Sequence, residues 1–297
     1  MAATSGLLTV ALGLTAVHLV LTSFVLRWHW QRRVRPPVEE KPLRAPGERL
    51  RLRLDQLEER TPWILLGSTL LPALLLMSGL HVVATLGSGG RALLALISTF
   101  VLFVGTAAAG AWVLWKTYNE RRDLRRALHG DRIVAESLST LVPLGYRVFH
   151  DVPTTSRDPA DHLHHVVVGP AGVFAVQAQT HAQRRALPGR KEHEIIFDGD
   201  QLVYPWGQDT QGIVPARRKA EWLSEWIFQL LGERVPVAAV LTFPGWWVTP
   251  ITQRDVRVHN PGQIAALIQD SAESPLNERH HALIVRQLED RCRHHPA

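Results

Sequence analysis

Hydropathy along the chain falls into two regimes. In the first 116 residues, three uncharged apolar runs stand out, at 6–26, 63–86 and 92–115. Each is long enough to cross ~30 Å of hydrocarbon at ~1.5 Å per residue. A backbone with no water around it must bond to itself, so three transmembrane α-helices are expected. The first run has no basic stretch before it, and Arg27, Arg32, Arg33 and Arg35 follow it. It therefore reads as a retained anchor and not as a cleaved signal. Trp28, Trp30, Trp63, Trp112 and Trp115 mark the expected membrane boundaries. Pro72 is expected to kink the second helix. His18 and His81 lie inside apolar runs, where a polar group either serves a relay or bonds a neighbouring helix. The stretch ERLRLRLDQLEER, 48–60, alternates like a strand at Leu50, Leu52 and Leu54, yet Leu50, Leu54 and Leu57 also mark one helix face. Its arginines beside a membrane favour an interfacial amphipathic helix.

From about residue 128 the periodicity becomes that of a globular domain. HGDRIVAESLSTLV, 129–142, places Ile133, Val134, Leu138 and Leu141 at helical spacing before Gly145. Strands are expected at 146–152, 162–168 and 173–179, the last two joined by GPAG. A strand pair follows at 194–204, then a helix over 211–231 with Leu223, Trp226, Ile227, Leu230 and Leu231 on one stripe. PVAAVLTF, 236–243, has the continuous apolar character of a buried strand. A short strand at 256–259 and helices around 262–269 and 276–291 complete the chain. This order predicts an α/β fold. The organisation expected is a membrane region 1–116 with a basic loop 27–60, a basic linker 117–128, a domain 129–250, and a C-terminal part 251–297 packed on it.

Charge adds orientation. Lys and Arg number 33 against 27 Asp and Glu, giving +6 and a pI near 10.1. Such an excess suits an anionic neighbour, lipid headgroups or nucleic acid. Arginines crowd 27–60 and 116–126, whereas the turn at 87–91 carries only Arg91. The positive-inside rule places the N-terminus outside and the soluble domain in the cytoplasm, as in a bacterial-type inner-membrane protein. The single cysteine, Cys292, excludes an internal disulfide and a thiolate zinc site.

Four segments, GDRIVAESLSTL, GYRVFHDVP, HHVVVGPAGVFAVQAQT and VAAVLTFPGWWV, resemble the nuclease-related domain family, NERD, in order and over about 129–248. The resemblance implies a restriction-endonuclease-like fold, a mixed sheet flanked by helices. It also implies an acid on the first helix, an Asp before the central hairpin, and Glu-x-Lys on the next strand. Carboxylates in that arrangement hold Mg²⁺ for phosphodiester hydrolysis. The helix acid falls on Asp131. The hairpin Asp falls on His164, the Glu on Gln177 and the Lys on Gln179. Amides and an imidazole accept hydrogen bonds but do not offset a divalent charge, so the resemblance points to a degenerate site with no cofactor expected.

Two functional classes follow. In the first, a membrane-tethered, catalytically degenerate domain binds nucleic acid or a cytoplasmic protein. Arg184, Arg185, Arg190 and Lys191 would offer charge, and Trp246, with Trp206 and Trp247, would offer aromatic faces. In the second, an active metal-dependent nuclease uses a variant site built on Asp131 and Asp161 with Mg²⁺, or His162, His164 and His165 with a softer ion such as Zn²⁺. A purely structural membrane role is the third alternative. Oligomeric state is not encoded in any pattern found.

Overall fold

The computed structural model describes residues 43–154, 161–271 and 275–294. All lie within one compact unit, Pro42–Ala297. The apolar run 6–26, the arginines that follow it and His18 lie outside the described residues.

The described chain opens with two long helices, α1 (Glu48–Leu86) and α2 (Gly90–Ser139), joined by a glycine-rich turn. Among the described residues both are long and apolar enough to cross a membrane, and they correspond to the second and third of the three expected spans. They run antiparallel. Ser68 packs on Gly110 and Gly79 on Thr99, while Arg53 reaches Glu120 at 2.8 Å and Arg121 reaches Glu58 at 3.0 Å. Leu93, Leu94, Phe100, Val101, Trp112 and Trp115 are all exposed on this hairpin. A core helix of a water-soluble domain would bury them.

Two expectations change here. The amphipathic stretch 48–60 is helical but continuous with the second apolar run, and α1 passes through Pro62 and Pro72. The basic segment 117–128 is no linker, because it joins the third apolar run to the domain's first helix within α2. KTYNERRDLRRA contains neither Gly nor Pro and is rich in good helix formers, so nothing in it stops propagation. The helix ends through a 3₁₀ turn, Val142–Leu144, and Gly145 in the left-handed region.

Beyond it the chain forms a mixed α/β domain with two mixed sheets. Strands β1 (Arg147–Pro153), β2 (His162–Gly169), β3 (Gly172–Ala178), β7 (Val237–Thr242) and β9 (Val256–His259) form the larger sheet in the order β1-β2-β3-β7-β9. The first three are antiparallel, and β3, β7 and β9 are parallel. Strands β4 (Glu194–Phe197), β5 (Leu202–Tyr204), β6 (Gly207–Asp209) and β8 (Trp247–Pro250) form the smaller sheet. Strands β6 and β8 have no counterpart in the sequence reading.

Alternation along β3 sorts the core. Phe174, Val176 and Ala178 face Val134 and Leu138 of α2 and Ile264 and Ile268 of α4 (Ile264–Asp270). Val173 and Ala175 face the opposite cluster, with Leu223 and Ile227 of α3 (Ile213–Leu231), Ile284 and Leu288 of α5 (Glu278–His294), and the inner side of the smaller sheet. Gln177 continues the second set and so looks toward α3.

Candidate functional site

Pairing of β2 with β3 stops at His165–Val176, whereas β2 stays with β1 as far as His162 and β3 stays with β7 as far as Ala178. The two middle strands therefore part at His164 and Gln177, opening a fork within the sheet. Asp131 enters the fork from α2. Its approach depends on Gly130, where a Cβ would lie 2.4 Å from the Thr180 methyl carbon, so only glycine lets the helix sit this close.

One oxygen of Asp131 meets two histidines. His164 Nδ1 is 3.1 Å from Oδ1, and His165 Nε2 is 4.0 Å from the same atom. Regular alternation would send these sequence neighbours to opposite faces. The irregularity coincides with Asp151, opposite His164 in the β1 register, which is the one described non-glycine residue with positive φ, +52°. The buried Asp151 carboxylate takes His162 Nε2 at 3.1 Å and the backbone N–H of Arg49 at 2.7 Å. The Arg49 guanidinium in turn donates to His162 Nδ1 at 2.5 Å, which places the imidazole proton on Nε2. His162 and His164 lie ring over ring, 5.0 Å apart. Deeper, His150 and His165 share an Nδ1···Nδ1 contact of 2.8 Å.

Burial sets the charges. It opposes ionisation of Asp131, but the facing imidazoles of His164, His165 and His162 outweigh it, and the carboxyl stays below its ordinary value. Burial pushes His150 down to about 4 and His165 down to about 3, so both are neutral. It pushes the Asp151 carboxyl up, against the Arg49 N–H that favours the anion.

The other tine of the fork carries a lysine. Lys219, on α3, donates from Nζ to Gln177 Oε1 at 2.9 Å. Burial lowers its ammonium to about 8, countered by the charges of Asp161 and Asp131. Among the described residues, Gln177 Nε2, Gln179 Oε1, His165 Nε2 and Thr242 Oγ1 are buried without a hydrogen-bonding partner. Unpaired buried polar atoms are rare in folded proteins, and those of Gln177 and His165 flank the point where β2 and β3 part.

A family model for the nuclease-related domain matches residues 126–244. This segment is a NERD domain. The match takes in the end of α2, strands β1 to β7 and helix α3. No curated protein and no solved structure is significantly similar to the chain.

Within the NERD domain, the positions matched from sequence divide into groups. Asp131 and His164 touch directly. Gln177 joins them through Lys219, whose amine feels the charge of Asp131. Gln179 is turned away onto the start of α3, where its Oε1 would lie 2.3 Å from a Cβ at Gly212. Asp161 lies at the rim, 3.7 Å from Arg218, and accepts the Thr154 hydroxyl at its carbonyl oxygen. Among the described residues, no three His, Cys, Asp or Glu are disposed to hold a metal ion.

The basic residues after β3 are dispersed. Arg184 lies over the Trp206 ring at 5.5 Å, Arg190 donates to the Tyr204 carbonyl at 2.6 Å, and Lys191 pairs with Glu194 at 3.1 Å. Arg185 is exposed. Trp246 is buried against Trp206 with its Nε1–H directed to the His181 carbonyl, so its ring offers no open stacking face. Trp247 is the exposed one of the pair. Trp246 instead lines a cleft of about 280 Å³ with His129, Gly130, Thr180, His181 and His193, beside the fork.

Sequence reasoning missed Lys219, Arg49 and Asp151. Lys219 had a readable signal. It lies three residues after Ala216 and four before Leu223, on the buried stripe of α3 and not on its wet face. Arg49 and Asp151 meet across about a hundred residues, a separation at which local pattern carries no information.

Proposed function

We propose that this chain is anchored in a membrane and that its NERD domain binds nucleic acid on the cytoplasmic side, gripping the sugar–phosphate backbone without a divalent metal. The observation that carries this reading is the 2.9 Å bond from Lys219 Nζ to Gln177 Oε1. At the position where the resemblance implies a metal-binding carboxylate, an amide oxygen instead receives an ammonium.

The remaining donors support the same reading. Mg²⁺ wants several hard oxygens with compensating charge. Asp131 directs an oxygen at His164, Asp151 serves His162 and the α1 backbone, and Asp161 pairs with Arg218. This donor set does not fit a hard dication. It suits a phosphate, because Lys219, Arg49 and Arg218 bring positive charge and Gln177 Nε2 brings an unspent donor.

Membrane anchoring is supported by the exposed apolar side chains of α1 and α2, and orientation by the lone Arg91 at the far turn against Lys116, Arg121, Arg122, Arg125 and Arg126 on the domain side. The test uses the full chain in detergent micelles with DNA and RNA oligonucleotides. Salt-sensitive binding that survives EDTA, with no cutting stimulated by Mg²⁺ or Mn²⁺, is expected. Mg²⁺-dependent cleavage lost in Asp131→Ala would replace this reading with the active metal nuclease. Absence of any nucleic-acid binding would turn it toward a protein partner.

A further inference from the structure

Four histidines crowd the fork, and their hydrogen bonds separate one from the rest. His162 has both ring nitrogens engaged, by Arg49 and by Asp151. His150 and His165 bond one another, and His165 is fully buried. His164 alone combines a carboxylate on Nδ1 with a partly exposed ring, 21% accessible, and its Nε2 has no partner among the described residues. An Asp that holds Nδ1–H fixes the tautomer whose Nε2 lone pair faces outward as a proton acceptor. Across the fork, Lys219 spends one of its three N–H donors on Gln177 Oε1. Asp131 links the two groups, bonding His164 directly and acting electrostatically on the Lys219 amine.

We propose that the NERD domain cleaves RNA by a metal-independent transesterification in which His164 is the general base and Lys219 the general acid. The inference rests on the backbone-binding function above and adds its substrate class. A base with no metal beside it must position and activate a water unaided. A ribonucleotide removes that need, because its 2′-hydroxyl is a nucleophile already held next to the phosphorus. DNA has no such group.

The step balances within the substrate and two side chains. His164 Nε2 takes the 2′-hydroxyl proton, and the 2′-oxygen forms a bond to phosphorus. The bond from phosphorus to the 5′-oxygen breaks, and the departing oxygen takes a proton from the Lys219 ammonium. The products are a 2′,3′-cyclic phosphate and a free 5′-hydroxyl. Proton exchange with solvent resets both groups. Arg49, whose charge reaches the Lys219 amine, and the Gln177 Nε2 donor are the groups near the fork that can meet charge on the non-bridging oxygens. Burial lowers the Lys219 amine to about 8, which makes its proton easier to give than that of a surface lysine.

The test uses the full chain in detergent micelles with EDTA present throughout. Three oligonucleotides of one sequence are compared: RNA, DNA with a single internal ribonucleotide, and 2′-O-methyl RNA. Cleavage of the RNA, cleavage of the chimera only after its ribonucleotide, and a 2′,3′-cyclic phosphate end are expected. The 2′-O-methyl strand is bound and stays intact. His164→Ala and Lys219→Met each lower the single-turnover rate by about 100-fold or more. His164→Ala retains binding of the 2′-O-methyl strand, which reports that the variant is folded. Cutting that persists in His164→Ala, or 3′-phosphate ends without a cyclic intermediate, overturns the mechanism. RNA that is bound but never cut overturns the inference and leaves the binding function standing, whereas loss of binding to all three strands removes both.

Discussion

Asp151 in β1 accepts the backbone N–H of Arg49, in the first turn of α1, at 2.7 Å. A strand residue thus caps a helix to which it has no sequence proximity. The helix needs it, because its N-cap, Gly47, has no side chain to offer and the first-turn N–H groups have no partners within the helix. The left-handed conformation of Asp151, which aspartate tolerates better than most residues, aims the carboxylate both there and at His162.

Replacing that carboxylate separates capping from charge. Asp151→Asn keeps one acceptor and the backbone preference but turns its amide donor against one of the two N–H groups, and is expected to lose less stability than the alanine variant. Asp151→Ala loses the cap and the His162 bond, and is expected to cost about 1–2 kcal/mol. Urea denaturation of the two variants in the same detergent measures the difference, and equal loss in both would show that the cap contributes nothing.

The contact at Gly130 gives a steric prediction. Gly130→Ala puts a carbon 2.4 Å from Thr180 Cγ2, too close without movement of α2. A loss of about 1–3 kcal/mol is expected, as for overpacking elsewhere. Thr180→Ser removes that methyl, so the double variant should regain much of the loss. A double-mutant cycle with no coupling would place the strain elsewhere.

Acid should weaken the domain through His150 and His165. Their folded pKa values lie at about 4 and about 3, while an unfolded histidine titrates near ~6.5. Between those limits the unfolded chain binds more protons, so stability is complete above ~6.5 and falls as pH drops toward 4. Each histidine contributes a slope of up to ~1.4 kcal/mol per pH unit. Denaturation midpoints at pH 7.5, 6 and 5 should trace the decline, and His165→Gln should flatten it.

Lys219 governs salt dependence if the fork holds a phosphate. Lys219→Met is expected to weaken binding of 2′-O-methyl RNA about tenfold and to reduce the slope of log K against log salt by about 1. An unchanged slope would mean that the ammonium serves Gln177 alone.

Much of this architecture is legible in the chain. Uncharged runs reveal the apolar parts of α1 and α2 because their length and composition stand out from the rest of the chain. VVVGPAGVFAVQAQ reveals the β2–β3 hairpin because two apolar strands flank a Gly-Pro turn. Asp131 and His164 are found through the family pattern and prove to be in contact. The fork itself is not legible, since the point where β2 leaves β3 coincides with the backbone irregularity of Asp151, on another strand. Helix α2 shows the reverse failure. A change of composition at Lys116 looks like a boundary, yet composition changes while the backbone hydrogen bonding continues uninterrupted.

That uninterrupted helix has a mechanical meaning. Trp115, at the end of the apolar run, and Asp131, in the fork, are sixteen residues apart on one rod, roughly 24 Å along its axis. Torque or tilt applied to the apolar half is delivered to the carboxylate with no joint to absorb it. If that half lies in a bilayer and the fork binds nucleic acid, as proposed, bilayer thickness and curvature become inputs to the contact between Asp131 and His164, and the lipid acts as a lever arm on it.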